Sequence, residues 1–141
     1  MTAEESSRVW QRMRTLVLER HDTRRDVAAA LGMSFIKVKA LRQVAREPST
    51  MRELTERLTI DGPYTTLVVD DLERRGLVER TVHPGDRRRR IVTATAAGRE
   101  AAEVADRILN APPAAFAGLD DAELGELDRL MAKLVEPGKA P

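Results

Sequence analysis

The sequence predicts a mostly α-helical fold that contains one small β-hairpin. Apolar residues recur at the three- and four-residue spacing of amphipathic helices along most of the 141 residues. After Gly76 this spacing changes to alternation, and a turn sequence at 83–86 separates two alternating runs. Hydrophobic residues make up 42% of the chain and charged residues 33%, so the chain can bury an apolar core.

Capping residues delimit the expected helices. Each helix starts after a Ser, Thr or Asp whose side chain can accept a hydrogen bond from a backbone N–H of the first turn. Gly32 and Gly76 end two helices, and Pro48 and the pair Pro112–Pro113 stop two more. The expected N-caps, in chain order, are Thr2, Asp22, Ser34, Thr50, Asp61, Thr95 and Asp120.

A basic hairpin follows the fifth helix. The alternating runs 77–82 and 91–95 flank the turn at 83–86. Residues 74–90 hold seven arginines and two acids, a net charge of +5, whereas the chain from residue 100 onward has a net charge of −5. A concentrated positive patch attracts polyanions, and the acidic segment is expected to face solvent or a partner subunit. The tip of the hairpin is expected to carry Arg87, Arg88, Arg89 and Arg90.

A pair of short helices followed by a basic hairpin is typical of a winged helix-turn-helix that binds duplex DNA. The second helix of such a pair fits the major groove, and arginines on a hairpin can enter a narrow minor groove. Leu67 could contact a thymine methyl, and Thr65 also lies on the expected core face of the fifth helix. The residues expected to contact DNA are Thr50, Pro63, Tyr64, Thr65, Thr66, Leu67, Arg74, Arg87, Arg88, Arg89 and Arg90.

The stretch from about residue 31 to residue 98 resembles the MarR family of bacterial regulators. Four segments carry the resemblance: 51–58 (MRELTERL), 69–80 (VDDLERRGLVER), 84–88 (PGDRR) and 94–98 (ATAAG). The resemblance implies a homodimer whose N- and C-terminal helices intertwine, with two recognition helices on a pseudo-palindromic operator. It also implies, in many members, a small aromatic or phenolic effector. We expect a regulator that represses transcription, or less often activates it.

The fifth helix departs from the pattern of the family. Family members commonly have a serine-rich start and an arginine within this helix, whereas no basic residue precedes Arg74 here. Two adjacent acids, Asp70 and Asp71, would weaken DNA binding unless they are paired. We hypothesise that Asp70 or Asp86 pairs with an arginine of the hairpin and orients it. The alternative function is a winged-helix module for protein interaction with weak or no DNA binding.

The chain is expected to have three parts. Residues 1–33 are N-terminal helices for dimerisation, 34–98 form the winged helix-turn-helix, and 99–141 form C-terminal dimerisation helices with a frayed tail. Trp10 and Met13 lie on an apolar helical face, which is expected in a dimer core. The same two residues, together with His21 at a helix junction, are candidates for an effector pocket.

The composition excludes several functions. The chain has no cysteine and only two histidines, so neither a disulfide nor a metal site or other cofactor is expected. It has no histidine near a serine nucleophile pattern and no glycine-rich phosphate loop, which argues against an enzyme. No apolar run resembles a signal peptide or reaches membrane-spanning length, so we expect a cytoplasmic protein with no membrane partner.

Overall fold

The computed structural model describes residues 2–136 and Gly138, and it confirms a mostly helical chain with a small sheet. The expected frayed tail, 137–141, lies outside the described residues except for Gly138. The helices are α1 (Ala3–Arg14), α2 (Thr23–Leu31), α3 (Phe35–Arg46), α4 (Met51–Leu58), α5 (Gly62–Arg74), α6 (Ala96–Leu109) and α7 (Asp121–Val135). The strands are β1 (Ser49–Thr50), β2 (Val78–His83) and β3 (Asp86–Ala94).

The helix boundaries follow the capping signals of the sequence. Each expected N-cap residue stands directly before its helix, and all but Ser34 accept a backbone N–H through the side chain. Gly32 ends α2 in the left-handed conformation with φ of 64°, which favours glycine. Helix α3 ends at Arg46, two residues before Pro48. These local signals therefore predicted where the helices begin and end.

The first helix differs from the prediction. The apolar spacing predicted one α-helix as far as about Arg20, but the regular helix ends at Arg14 and Thr15–Arg20 are π-helical. Backbone N–H groups in a π-helix bond five residues back instead of four. The side chains after Thr15 are therefore rotated about the helix axis relative to those of α1.

The hairpin belongs to a three-stranded antiparallel sheet with the order β1-β3-β2. Ser49 and Thr50 pair with Val92 and Ile91, a short strand that the sequence analysis missed. His83 pairs with Asp86 across the turn, so β3 already begins at Asp86. The four arginines at 87–90 consequently lie within strand β3 and not at the tip of the hairpin, where they had been predicted.

The chain forms two compact units, residues 1–110 and residues 111–141. The first unit has an aliphatic core in which Val27, Leu41, Leu54 and Leu72 are fully buried. This core includes the predicted inner face of α5, and burying each Val or Leu side chain contributes about 1.5–3 kcal/mol. In the second unit, a short 3₁₀ helix at Ala114–Gly118 precedes α7.

At Gly98, helix α6 packs closely against the backbone of Leu77, the residue just before β2. A Cβ atom at this position would lie 1.9 Å from the carbonyl oxygen of Leu77. The Thr95 hydroxyl donates to the carbonyl oxygen of Gly76 at 2.6 Å, and the backbone N–H of Thr95 donates to that of Leu77 at 3.0 Å. The start of α6 is therefore fixed against the end of α5.

Replacing Gly98 with alanine is expected to lower the free energy of unfolding, because the new methyl group would meet backbone atoms. Overpacking usually costs about 1–3 kcal/mol, and we expect a loss of at least this size. Urea unfolding followed by circular dichroism measures this loss. Gly62→Ala is the matched control, because a Cβ atom there has no atom within 4 Å. Equal stability of the two variants would contradict the close approach.

Candidate nucleic-acid interface

Helices α4 and α5 form the helix-turn-helix, and a buried pair of hydroxyl groups joins them. The turn includes Thr59 in the left-handed conformation, with φ of 55°. The Thr65 hydroxyl donates to the carbonyl oxygen of Asp61 at 2.9 Å and accepts from the Thr55 hydroxyl at 2.8 Å. Thr65 is fully buried, so it cannot contact DNA as the sequence analysis predicted. The helical period correctly assigned it to the core face.

The outer face of α5 is apolar over its first two turns. Pro63, Tyr64 and Leu67 are exposed, with Leu67 at 65% and Tyr64 at 43% of their full accessibility. The hydroxyl of Thr66 is also exposed, but it donates to the carbonyl oxygen of Gly62 at 3.2 Å. This face therefore presents mainly carbon atoms to solvent.

Arg80 on β2 pairs with two of the acids on α5. Its guanidinium donates to the carboxylate of Asp70 and, at 3.3 Å, to both oxygens of Glu73. The Glu73 carboxylate beside it raises the pKa of Arg80, and Asp70 adds to this effect. Asp70 is thus paired with an arginine of the hairpin, as hypothesised. The partner is in β2 and not among the arginines at 87–90.

Asp71, the next residue on α5, binds three cations. Its carboxylate lies 2.6 Å from Nε of Arg75, 3.1 Å from Nζ of Lys37 and 3.0 Å from a guanidinium nitrogen of Arg74. Hydrogen bonds from Arg75 and then from Lys37 and Arg74 hold the pKa of Asp71 well below its ordinary value. Arg75 also donates to the carbonyl oxygen of Gly32 at 3.1 Å. These contacts attach α5 to α3 and to the end of α2.

The hairpin formed by β2 and β3 is the wing of the winged helix. Its four arginines at 87–90 on β3 are exposed and largely unpaired. Asp86 accepts from the backbone N–H of Arg88 at 3.0 Å, and its carboxylate lies 3.9 Å from Nε of Arg89. Arg90 donates to the carbonyl oxygen of Arg87 at 3.2 Å. Within residues 2–136, the guanidinium groups of Arg87 and Arg88 form no ion pair. Both groups are therefore available to an external anion.

The start of α4 lies beside these wing arginines. The Thr50 hydroxyl caps α4 by accepting from the backbone N–H of Glu53 at 3.1 Å. A surface depression of about 320 Å³ is lined by Thr50, Met51, Arg52 and the wing residues 88–90. Arg52 was not identified as part of this site by the sequence analysis. Strand β1, which brings α4 to β3, is too short to show the alternating period of a strand.

The comparisons with known proteins agree with this geometry. Residues 31–89 match a family model described as MarR family. This match covers α3, α4, α5 and most of the hairpin, so this part of the chain is similar to the MarR family. Among curated proteins, none is a significant match to the chain.

Solved structures of MarR-family regulators share the fold of this chain over most of its length. The reduced form of MarR from E. coli matches with 20% identity and a TM-score of 0.69, covering 95% of this chain and 96% of that one. A MarR-family transcriptional regulator from Rhodococcus sp. RHA1 matches with 20% identity and a TM-score of 0.67, covering 99% of each chain. A mutant MarR from E. coli complexed with operator DNA matches with 21% identity and a TM-score of 0.63, covering 92% of this chain and 95% of that one.

The residues predicted for an effector pocket lie near the N-terminal end of the chain. Trp10 on α1 is 61% exposed, whereas Met13 and His21 are half-buried. A surface depression of about 350 Å³ in this region is lined by other residues, namely Arg8, Gln11, Arg12, Thr15, Leu16 and Arg20. The effector pocket therefore stays a prediction.

Two kinds of feature are absent from the described part of the chain. It contains no group of three or more His, Cys, Asp or Glu side chains that could hold a metal ion. Among the same residues, no helix has both the length and the apolar character needed to cross a bilayer.

The stability contributed by Asp71 is expected to depend on pH. Because pairing lowers the folded-state pKa below the ordinary 3.8, the contribution is fully present well above pH 3.8 and is lost as the pH falls toward the lowered pKa. Asp71→Asn should therefore destabilise the winged helix at pH 7, and the difference from the parent chain should shrink between pH 5 and pH 2. Urea unfolding across this range measures the difference.

Asp128→Asn is the control for this experiment, since the Asp128 carboxylate makes no ion pair among the described residues. Its effect on stability should be small at pH 7. If Asp71→Asn had an equally small effect at pH 7, the binding of three cations by Asp71 would contribute nothing measurable.

Proposed function

We propose that this chain is a transcription regulator, most simply a repressor, that binds a pseudo-palindromic operator as a homodimer. One observation carries the proposal. The acids of the recognition helix α5 are paired within the protein, while Arg87 and Arg88 on the adjoining wing have no carboxylate partner among residues 2–136. Residues 34–98 supply the DNA-binding part, and residues 1–33 and 99–141 supply the dimerisation helices.

The pairing of charges favours a polyanionic partner. Asp70, Asp71 and Glu73 would repel phosphates if they were free, but each carboxylate has at least one cation within 3.3 Å. The unpaired arginines of β3 then dominate the local electrostatic field. Cationic side chains that neutralise DNA phosphates release condensed counterions, and this release drives much of the binding. The solved complex of the E. coli relative with operator DNA supports the same kind of partner.

The homodimer is supported by an exposed apolar face at each end of the chain. On α1, Val9 and Trp10 are at least half exposed, and so are Leu134 and Val135 on α7. Leucines that recur along one side of α7 have an apolar surface that an isolated helix would leave in water. A second copy of the chain would bury both faces. A small aromatic or phenolic effector, with Trp10, Met13 and His21 as candidate contacts, completes the proposal.

The DNA interface is tested by the salt dependence of binding. The parent chain should bind duplex DNA with a log affinity that falls linearly with log salt concentration. Arg88→Ala should weaken binding to all sequences and reduce the magnitude of that slope by about 1 per wing, because one phosphate contact is lost. Fluorescence anisotropy at several salt concentrations measures both quantities.

Arg25→Ala, which removes an exposed arginine from α2, is the matched control and should leave the slope unchanged. An affinity of the parent chain that is micromolar or weaker and independent of salt would contradict the proposal. It would favour a winged helix that binds proteins instead.

The homodimer is tested by sedimentation equilibrium. The parent chain should have twice the mass of one chain, and Leu134→Asp should shift it toward the monomer, because an aspartate cannot be buried cheaply in an apolar interface. Val82→Asp is the control, since Val82 is exposed on the wing and not on a terminal helix. A parent chain that remains a monomer at micromolar concentration would contradict the proposal.

A further inference from the structure

The recognition helix has an exposed apolar patch where sequence readout would take place. Pro63, Tyr64 and Leu67 lie on one side of α5, at the three- and four-residue spacing that makes side chains neighbours. Leu67 is exposed to 65%, more than Trp10 at 61% or Val17 at 59%. The patch occupies the N-terminal half of α5, the part of a recognition helix that lies nearest to base edges.

Apart from the hydroxyl of Tyr64, the polar side chains of α5 that could read bases are engaged within the protein. Asp70 and Glu73 bind Arg80, and Asp71 binds Arg74, Arg75 and Lys37. The Thr66 hydroxyl donates a hydrogen bond to the carbonyl oxygen of Gly62. In the first two turns of α5, the most exposed apolar group is the isobutyl group of Leu67.

The major groove offers one kind of apolar target to such a group, the 5-methyl group of a pyrimidine. Thymine carries this methyl group, whereas guanine, adenine and cytosine present hydrogen-bonding groups at the groove. We propose that Leu67 is a specificity-determining residue and that it packs against the 5-methyl group of a thymine in each half-site. Tyr64 and Pro63 flank this contact. The inference rests on the proposed function, because it requires α5 to lie in the major groove.

The free energy expected from this methyl contact follows from the area that it buries. Burying one methyl group contributes about 0.8 kcal/mol, which corresponds to about a fourfold change in affinity. Deoxyuridine differs from thymidine only by the absence of this methyl group and pairs with adenine in the same way. Replacing thymidine with deoxyuridine therefore tests the methyl contact without changing any hydrogen bond.

The experiment starts from duplexes that the parent chain selects from a randomised pool. Each thymidine of a selected duplex is replaced by deoxyuridine in turn, and the dissociation constant is measured by fluorescence anisotropy. We expect one position in each half-site to lose about fourfold in affinity and the other positions to change little. In Leu67→Ala, the loss at that position should disappear, because alanine is too short to reach the methyl group.

Two controls complete the design. Val82→Ala shortens an exposed apolar side chain on the wing and should keep the sensitivity to deoxyuridine. At the sensitive position, a duplex with 5-methylcytosine should bind about fourfold more tightly than the same duplex with cytosine, because the methyl group is restored without thymine. Leu67 is exposed, and thermal unfolding checks that its replacement leaves the fold intact.

The outcomes separate the inference from the proposed function. If the parent chain selects no duplex from the randomised pool, the proposed function fails. If it binds duplex DNA but tolerates deoxyuridine at every position, the methyl contact is wrong and the proposed function stands. The inference is also wrong if Leu67→Ala keeps the full sensitivity, or if 5-methylcytosine binds no better than cytosine.

Discussion

The pairing of the acids on α5 is the interaction on which the rest of the structure depends. Asp71 binds Lys37 of α3 and the two arginines at the end of α5, whereas Asp70 and Glu73 bind Arg80 on the hairpin. The first set holds the recognition helix on the body of the winged helix. The second set joins the helix to the wing. Without these pairs, a helix with three carboxylates would be repelled by a polyanion.

Under the proposed function, two elements share the recognition of DNA. The wing supplies free guanidinium groups, which suit phosphates and the negative potential of a narrow minor groove. The first turns of α5 supply exposed carbon atoms, while the Thr66 hydroxyl and the Asp70 carboxylate are bonded within the protein. Affinity would then come mainly from the wing, and discrimination between base pairs mainly from apolar contact in the major groove.

Local sequence signals predicted most of the fold. Where the structure differs from the prediction, contacts between distant parts of the chain are the reason. The caps at Thr50 and Asp61 could be predicted because capping depends on neighbouring residues. Strand β1 could not, since two residues show no period. Pairing of Asp70 with a hairpin arginine was hypothesised, but the identity of Arg80 as its partner depends on how α5 packs against β2. Thr65 was assigned both to the core and to DNA, and its burial decides for the core.

The most direct test of this account is a double-mutant cycle between Arg80 and Asp70, measured by DNA affinity. Arg80→Ala should weaken binding, because it leaves Asp70 and Glu73 unpaired beside the DNA. Adding Asp70→Asn should then restore affinity by more than the same change raises it in the parent chain, with a coupling of about 0.5–3 kcal/mol. Equal effects of Asp70→Asn in both backgrounds would contradict the account.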